Sequence, residues 1–574
     1  MTRTVLAVVF LALLTGMLLP GSSTVHAEEV VQDWKATGSG LGFFRGSATD
    51  SNGNTYVTGG LTVMKYDSDG NLLWTTTYSP CGGPCEAGYA WAIAVAPSEN
   101  YVYLAGQAGF SLNQDGYVAQ IDSEGTFQWS RSTAGTGNTT DNMRGVVADA
   151  SDNVYATGTN IGANPDWITA KYDVDGNLQW LQTLTGTSSS NDYGHNIGLD
   201  ASGRVYVEGT FVVNAEDYGF AIYTSAGSLT CSDRFNGPGP SASPNDISAA
   251  LAVIPGGGAY ITGGSINSVP DYDVFTIRYN TSCGRVWTRR YDTGNNERAK
   301  AALVDASGGV YVTGEGANPG SNNILTIHYD AAGNQTGPAM YQGVAGENDG
   351  ATDIAVDASG VYVAGYVDLE SDSKRVTLAY TPGLLLRWVQ TYAEGTGYQN
   401  FSVGLDSSGA VYAAGNSEES GVDYALIKYC SETDGDGLSN CEEVSGVEGK
   451  PGLGGPFFTD PFDPDTDDDG CDDGQEVGAD ETLGGRRDPT NPWDYYDVLG
   501  PGAALPTDGV IDLPNDILGV IQHFSPQGQV PYDVRFDRGP STGPNPWNMT
   551  APDGVIDLPN DILGVILQFN HNCA

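Results

Sequence analysis

Along most of the chain, apolar and polar positions alternate in short runs separated by turns rich in glycine, asparagine and aspartate. Alternation with a period of two is the pattern of a strand that buries one face. One phrase returns through these runs, a tyrosine, two further residues and a glycine. It reads Tyr56-Val-Thr-Gly59, Tyr103-Leu-Ala-Gly106, Tyr155-Ala-Thr-Gly158, Tyr206-Val-Glu-Gly209, Tyr260-Ile-Thr-Gly263, Tyr311-Val-Thr-Gly314, Tyr362-Val-Ala-Gly365 and Tyr412-Ala-Ala-Gly415. Each unit divides into a short first strand such as Asp353-Ile-Ala-Val-Asp357, the tyrosine strand, and a third strand such as Trp167 to Tyr172. A fourth follows an Asp-Gly-Asn turn and carries Trp74, Trp129, Trp180, Trp287 or Trp388. Glycine and asparagine accept the positive φ of tight hairpins. Four strands repeating every ~50 residues predict the blades of a propeller.

After Tyr429 the eighth unit has no tryptophan strand, whereas Val30-Val-Gln-Asp-Trp34 resembles a fourth strand without its first three. If that segment completes the last blade, the ring closes with no free sheet edge. The expected fold is all-β: an eight-bladed β-propeller closed by the N-terminal strand, followed by acidic calcium-binding loops and a small helical C-terminal module. The expected boundaries are 28–430 for the propeller, 431–493 for the acidic region and 494–574 for the module, after an export signal over 1–27. That signal has Arg3 at its start, an apolar run from Val5 to Leu19 and a small-residue cleavage site at Val25-His26-Ala27. No second apolar stretch reaches membrane-spanning length, so membrane insertion is not expected and the mature chain is expected outside the cytoplasm, secreted or attached to the cell surface.

The 71 acidic and 24 basic residues give a formal charge of −47, which argues against nucleic acid as a partner. The acidity gathers in the tail, where 28 acids and 5 bases lie between Cys430 and Ala574. Eight cysteines suit an oxidising compartment. Cys81 with Cys85 and Cys231 with Cys283 are plausible pairs, while the connectivity of Cys430, Cys441, Cys471 and Cys573 stays open.

In the tail, Glu432-Thr-Asp434-Gly-Asp436-Gly437-Leu-Ser-Asn440-Cys-Glu-Glu443 places oxygen side chains at positions 1, 3, 5, 9 and 12 of a loop whose sixth residue is glycine. A second copy, Asp465-Thr-Asp467-Asp-Asp469-Gly470-Cys-Asp-Asp473-Gly-Gln-Glu476, has the same form. Calcium takes six to eight oxygens, and this spacing wraps alternate carboxylates around one ion. The candidate ligands are Glu432, Asp434, Asp436, Asn440 and Glu443 in the first loop, and Asp465, Asp467, Asp469, Asp473 and Glu476 in the second. Further on, Asp508-Gly-Val-Ile-Asp-Leu-Pro-Asn-Asp-Ile-Leu-Gly-Val-Ile521 recurs without change from Asp553 to Ile566, which predicts an antiparallel pair of short helices packed on each other.

Taken with their strands and turns, the blade repeats resemble the bacterial SBBP β-propeller repeat family, which implies a secreted or surface protein and predicts fold better than function. The acidic loops, with Asp488-Pro-Thr-Asn-Pro492, resemble thrombospondin type 3 calcium repeats. The terminal duplication resembles dockerin halves, but Ala504, Pro506, Met549 and Ala551 stand where the first and third ligands belong.

Few residues break the blade repeat. Glu208 replaces the usual Thr or Ala and is read as a paired surface glutamate. His195 and His328 have no motif partner in sequence. Aspartates recur before the third strand at Asp115, Asp166, Asp217, Asp273 and Asp423, and are read as turn or cap residues. No nucleophile elbow, zinc-protease helix or phosphate loop is present in the sequence. The leading expectation is a non-catalytic propeller scaffold that binds a protein or glycan ligand on one face. The alternatives are an extracellular enzyme acting on polysaccharide at a propeller face, and an assembly subunit recruited through a protein partner of the C-terminal module.

Overall fold

The repeats fold as eight four-stranded antiparallel sheets. The structure is a computed structural model describing residues 30–110, 113–133, 141–161, 165–186, 191–212, 216–237, 246–266, 271–318, 321–369, 372–392, 401–417, 424–431, 436, 438–445, 456–460, 463–478, 480–498, 510–542 and 545–573. The export signal, Glu432, Asp434, Asp423 and Asp508 lie outside the described residues. The first strands touch in an unbroken circle: Phe44–Thr49, Ala87–Val95, Asn142–Ala148, Tyr193–Leu199, Asp246–Val253, Arg298–Val304, Asp349–Val356 and Phe401–Leu405, which returns to Phe44–Thr49. These strands wall the central channel.

Closure follows the expected route. Val30–Gly38 pairs antiparallel with Tyr424–Ser431, Trp34 opposite Lys428, and completes the last sheet. It has a one-residue register shift between Gln32 and Trp34, matching the shifts beside Trp74 and Trp388 in other fourth strands.

The tryptophans and the turn glycines are two halves of one inter-blade joint. Trp74 Nε1 donates to the Ser123 carbonyl of the next blade at 2.9 Å, Trp129 to Val174 at 2.9 Å and Trp180 to Ser225 at 3.1 Å. Each indole lies on a turn glycine with positive φ, at Gly125, Gly176 and Gly227, where a Cβ would meet the ring. Trp34 makes the same joint across the seam, to Ser68 at 2.7 Å and over Gly70. Where the fourth blade has Cys231 in place of tryptophan, a disulfide to Cys283 in the next blade takes over the joint. The repeated tyrosines are buried and several reach the following blade, Tyr103 to the Asp152 carbonyl at 2.5 Å and Tyr260 to that of Gly308 at 2.7 Å.

The glycine of each tetrad has a separate cause. In seven sheets the ladder between first and second strand skips one residue, directly after the residue opposite that glycine. The residues skipped are Arg45, Trp91, Arg144, His195, Ala249, Lys300 and Thr352. Such a β-bulge bends the strand and re-aims a side chain. The bend presses the first-strand backbone onto the glycine, so an added Cβ would meet the carbonyl oxygen of Asn142 at Gly158, of Tyr193 at Gly209 and of Arg298 at Gly314.

Two sequence expectations are corrected within the blades. Asp115, Asp166, Asp217 and Asp273 stand inside the third strands, not in turns. Asp217 and Asp273 are buried there against Arg234 and Arg290. The turn role belongs to Asp149, Asp200, Asp305 and Asp406, whose carboxylates accept backbone N–H groups two and four residues ahead. Glu208 is fully buried, not a surface residue. It accepts from Asn196 at 2.7 Å and lies 3.8 Å from His195, while His328 meets Asp305 at 2.7 Å.

Among the described residues the tail contains four short α-helices, α1 (Asn440–Ser445), α2 (Asp473–Glu476), α3 (Leu518–Gln522) and α4 (Leu563–Leu567). Wider turns over Leu513–Ile517 and Leu558–Ile562 precede α3 and α4, capped by Asp512 and Asp557. The two copies pack together around Ile511, Val520, Ile556 and Val565. The 493/494 boundary is crossed by that core, which also takes in Cys471 and Tyr495. The Cys471–Cys573 disulfide and the bonds from Arg487 to Gln568 and His571 cross it too. Cys430–Cys441 ties α1 to the end of the last blade.

Candidate metal centres

The second acidic loop turns sharply at Asp468 and Gly470, both with positive φ. The turn lets its backbone amides face inward: Asp465 accepts from the N–H groups of Asp469 at 3.1 Å and Gly470 at 2.8 Å, and Asp469 from Cys471 at 3.0 Å. Asp465, Asp467 and Asp469 thereby bring carboxylate oxygens within 4.8 Å of one another. Asp469 shares a second group of the same closeness with Glu476 and Asp494. Five carboxylates therefore converge on one region, hinged on Asp469.

Asp494 was not among the sequence candidates. It lies outside the twelve-residue loop and arrives because the chain after α2 folds back, with Asp488 N donating to Asp494 Oδ2 at 2.9 Å and Tyr495 N to Asp469 Oδ2 at 3.2 Å. The only signal in the sequence was its place just after the Asp488-Pro-Thr-Asn-Pro492 stretch.

Asp473 goes elsewhere. Its carboxylate joins Asp436 and Glu443 of the first loop, all within 4.8 Å and all buried. Asp436 Oδ2 accepts from Gly474 N at 2.9 Å, and Thr459 donates to Glu443 at 3.1 Å. The first centre is thus built from both loops, and α1, which opens on Asn440 and carries Glu443, brings it to the blade through Cys441.

The donor chemistry fits a hard cation. Both Glu476 oxygens, Asp467 Oδ2 and Asp494 Oδ1 are buried without a hydrogen-bond donor. A buried carboxylate oxygen with neither donor nor cation is costly. The nearby guanidinium of Arg487 is buried and spends its N–H groups on Asp494 O, Gly484 O, Gln568 and His571. Burial and then neighbouring carboxylates push Asp467 up to about 8, and burial with Asp465 pushes Asp469 to about 7. Burial drives Asp473 to about 7 and holds Glu476 and Asp494 well above the usual carboxylate range. A third acidic group, Asp271, Asp273 and Asp292, differs in kind because Arg290 pairs with Asp273 at 2.7 Å and with Asp292 at 2.5 Å.

The propeller channel holds a void of about 580 Å³, walled by Arg45, Lys300, Glu315, Asp353, Tyr366 and Ser402 among others. Lys300 pairs with Glu315 at 3.3 Å. Asp353 is part-exposed to the void but hemmed in by protein, and this desolvation lifts its carboxyl to about 6.

No family model and no curated protein matches the chain. Among solved structures it resembles the quinohemoprotein alcohol dehydrogenase ADHIIG of Pseudomonas putida HK5, at 12% identity and a TM-score of 0.45, over 70% of this chain and 76% of that one. It also resembles polysaccharide lyase Uly1, at 10% identity and a TM-score of 0.41, over 69% and 99% of the two chains. An ulvan lyase matches at 11% identity and a TM-score of 0.38, over 57% and 90%. At such identities the likeness concerns fold alone.

Proposed function

We propose that the chain is an extracellular, non-catalytic propeller scaffold, secreted or held at the cell surface, that binds a protein or glycan ligand on a propeller face while calcium fixes its C-terminal region to the ring. The observation that carries the calcium part is the set of donorless buried oxygens on Asp467, Glu476 and Asp494. In the larger centre, Asp465, Asp467, Asp469, Glu476 and Asp494 would hold one or more ions. Asp436, Glu443 and Asp473 would clamp the tail to α1, and through Cys441 to the last blade. Four disulfides support export, since such bonds persist in oxidising compartments. Among the described residues no helix is long and apolar enough to cross a membrane. The SBBP, thrombospondin type 3 and dockerin likenesses stand as part of this reading.

Calorimetric titration of the calcium-stripped full chain tests it, together with limited proteolysis in calcium and in chelator. Uptake of calcium with tail cleavage only in chelator supports the reading. No uptake, or cleavage indifferent to calcium, removes the clamp.

Two observations favour other readings. Leu513, Leu518, Ile521 and Phe524 in the first terminal copy, and Leu558, Leu563, Ile566 and Phe569 in the second, are 40–56% exposed. Matched apolar faces of this kind support recruitment of the chain into an assembly by a protein partner. Lys300, Glu315 and Asp353 around one void support an extracellular enzyme acting on polysaccharide. Turnover of a polysaccharide panel, or a stable complex lost on deleting the terminal copies, selects between them.

A further inference from the structure

Among the described residues most arginines answer to a carboxylate or a carbonyl, while Arg298 stacks on Tyr272. Arg204 pairs with Asp200, Arg234 with Asp217, Arg285 with Asp233 and Arg535 with Asp533, as acids in threefold excess over bases would lead one to expect. Arg45 and Arg144 do not. Neither has a carboxylate partner among the described residues, and Arg144 has one side-chain bond, to Asn142 at 3.2 Å.

Both are bulge residues, aimed by the same register shift in blades one and three. The bulge residue of the blade between them is Trp91. The Arg45 guanidinium lies 5.0 Å from the Trp91 ring and 4.6 Å from that of Tyr89, and Arg144 lies 5.4 Å from Trp91. Stacking on an aromatic face holds a guanidinium in place yet leaves its N–H edge open to a planar oxyanion. Arg45 also reaches the channel void, where Lys300, the bulge residue of blade six, shares the wall with Glu315, Asp353 and Ser402.

We propose that this channel site binds the acidic unit of an oligosaccharide, a sugar carrying a carboxylate. Arg45, with Arg144 adding positive potential, takes the carboxylate, while Lys300 stays paired with Glu315. Glu315, Asp353 and Ser402 accept hydrogen bonds from ring hydroxyls, which inorganic anions do not offer. A void of about 580 Å³ lies within the size range of small-ligand sites. A chain of charge −47 repels long polyanions, so a short acidic segment entering the channel is favoured over nucleic acid. The proposal rests on the ligand-binding reading above and names its site and ligand class.

The test is calorimetric titration of the full chain with trigalacturonic acid, with its methyl ester, which keeps the hydroxyls and loses the charge, and with inorganic sulfate. The acid should bind, and the ester and sulfate should bind at least tenfold more weakly. Arg45→Gln and Arg144→Gln together should weaken the acid roughly 10- to 100-fold, the range for a lost charged hydrogen bond, and Arg45→Lys should restore part of it. Far-UV dichroism and calcium uptake serve as folding controls. Equal binding of acid and ester, sulfate binding as tight as the acid, or an unaffected double variant overturns the proposal. A chain that binds neutral glycans or a protein but ignores trigalacturonate loses this site and keeps the scaffold reading.

Discussion

Replacing Asp494 with asparagine separates the centre seen in the fold from the twelve-residue loop read in the sequence. Asp494 is fully buried, lies within 4.8 Å of carboxylate oxygens on Asp469 and Glu476, and has one oxygen without a donor. At that distance two ionised carboxylates repel by about 3.5 kcal/mol with an effective permittivity near 20. Removing one charge therefore relieves the calcium-free state while it weakens the calcium-bound one. Outer-sphere groups alone cost ~10- to 100-fold in metal affinity, so losing a ligand should weaken binding by at least about tenfold. At calcium one hundred times the wild-type dissociation constant, the ion adds about 2.7 kcal/mol, and a tenfold weaker site adds about 1.4 kcal/mol. Calcium should therefore slow amide exchange across 463–498 roughly tenfold less in the variant than in the wild type, read by hydrogen-exchange mass spectrometry on the full chain with and without calcium. If Asp494→Asn binds calcium as the wild type does while Asp465→Asn does not, the ligands are confined to the loop and the recruitment of Asp494 is wrong.

The pH dependence of the calcium-free tail has a definite sign. Asp467, Asp469 and Asp473 keep their protons to about 8, 7 and 7 when folded and release them near 4 when unfolded, so the folded state holds more protons between these limits and loses stability as pH rises. Proteolysis of chelator-dialysed protein should be faster at pH 8 than at pH 5, and calcium affinity should rise over the same interval. A flat profile would count against the buried cluster. Trp34→Ala removes the joint across the seam, namely the bond to Ser68, the contact with Gly70 and the edge contact with Tyr412 at 6.1 Å. It should cost about 3 kcal/mol and promote aggregation more than Trp180→Ala, measured by thermal unfolding and light scattering. Gly158→Ala should cost about 1–3 kcal/mol because the added methyl meets the backbone carbonyl of Asn142, and an unchanged melting temperature would show the bulge to be soft.

Eight blades, their four strands and even the seam were legible in the sequence, because each is written in local terms: period-two alternation, turn glycines, and a missing strand matched by an orphan one. The tetrad glycine could be read as a bend or a close contact, but the bulge opposite it could not, since a register shift belongs to two strands at once. The residues it aims, Arg45, Trp91, Arg144 and Lys300, share no sequence motif, and only the closed ring brings them to one level of the channel. The spacing within twelve residues is what suggests a cation site in the acidic loops; in the fold Asp465, Asp467 and Asp469 converge, while Glu476 meets Asp469 in a second group with Asp494. Asp473 joins the other group and Asp494 enters from outside the loop for the same reason. A linear spacing fixes which side chains one turn gathers, whereas the partners brought by a disulfide-pinned helix and a chain folding back are set by packing between segments distant in sequence.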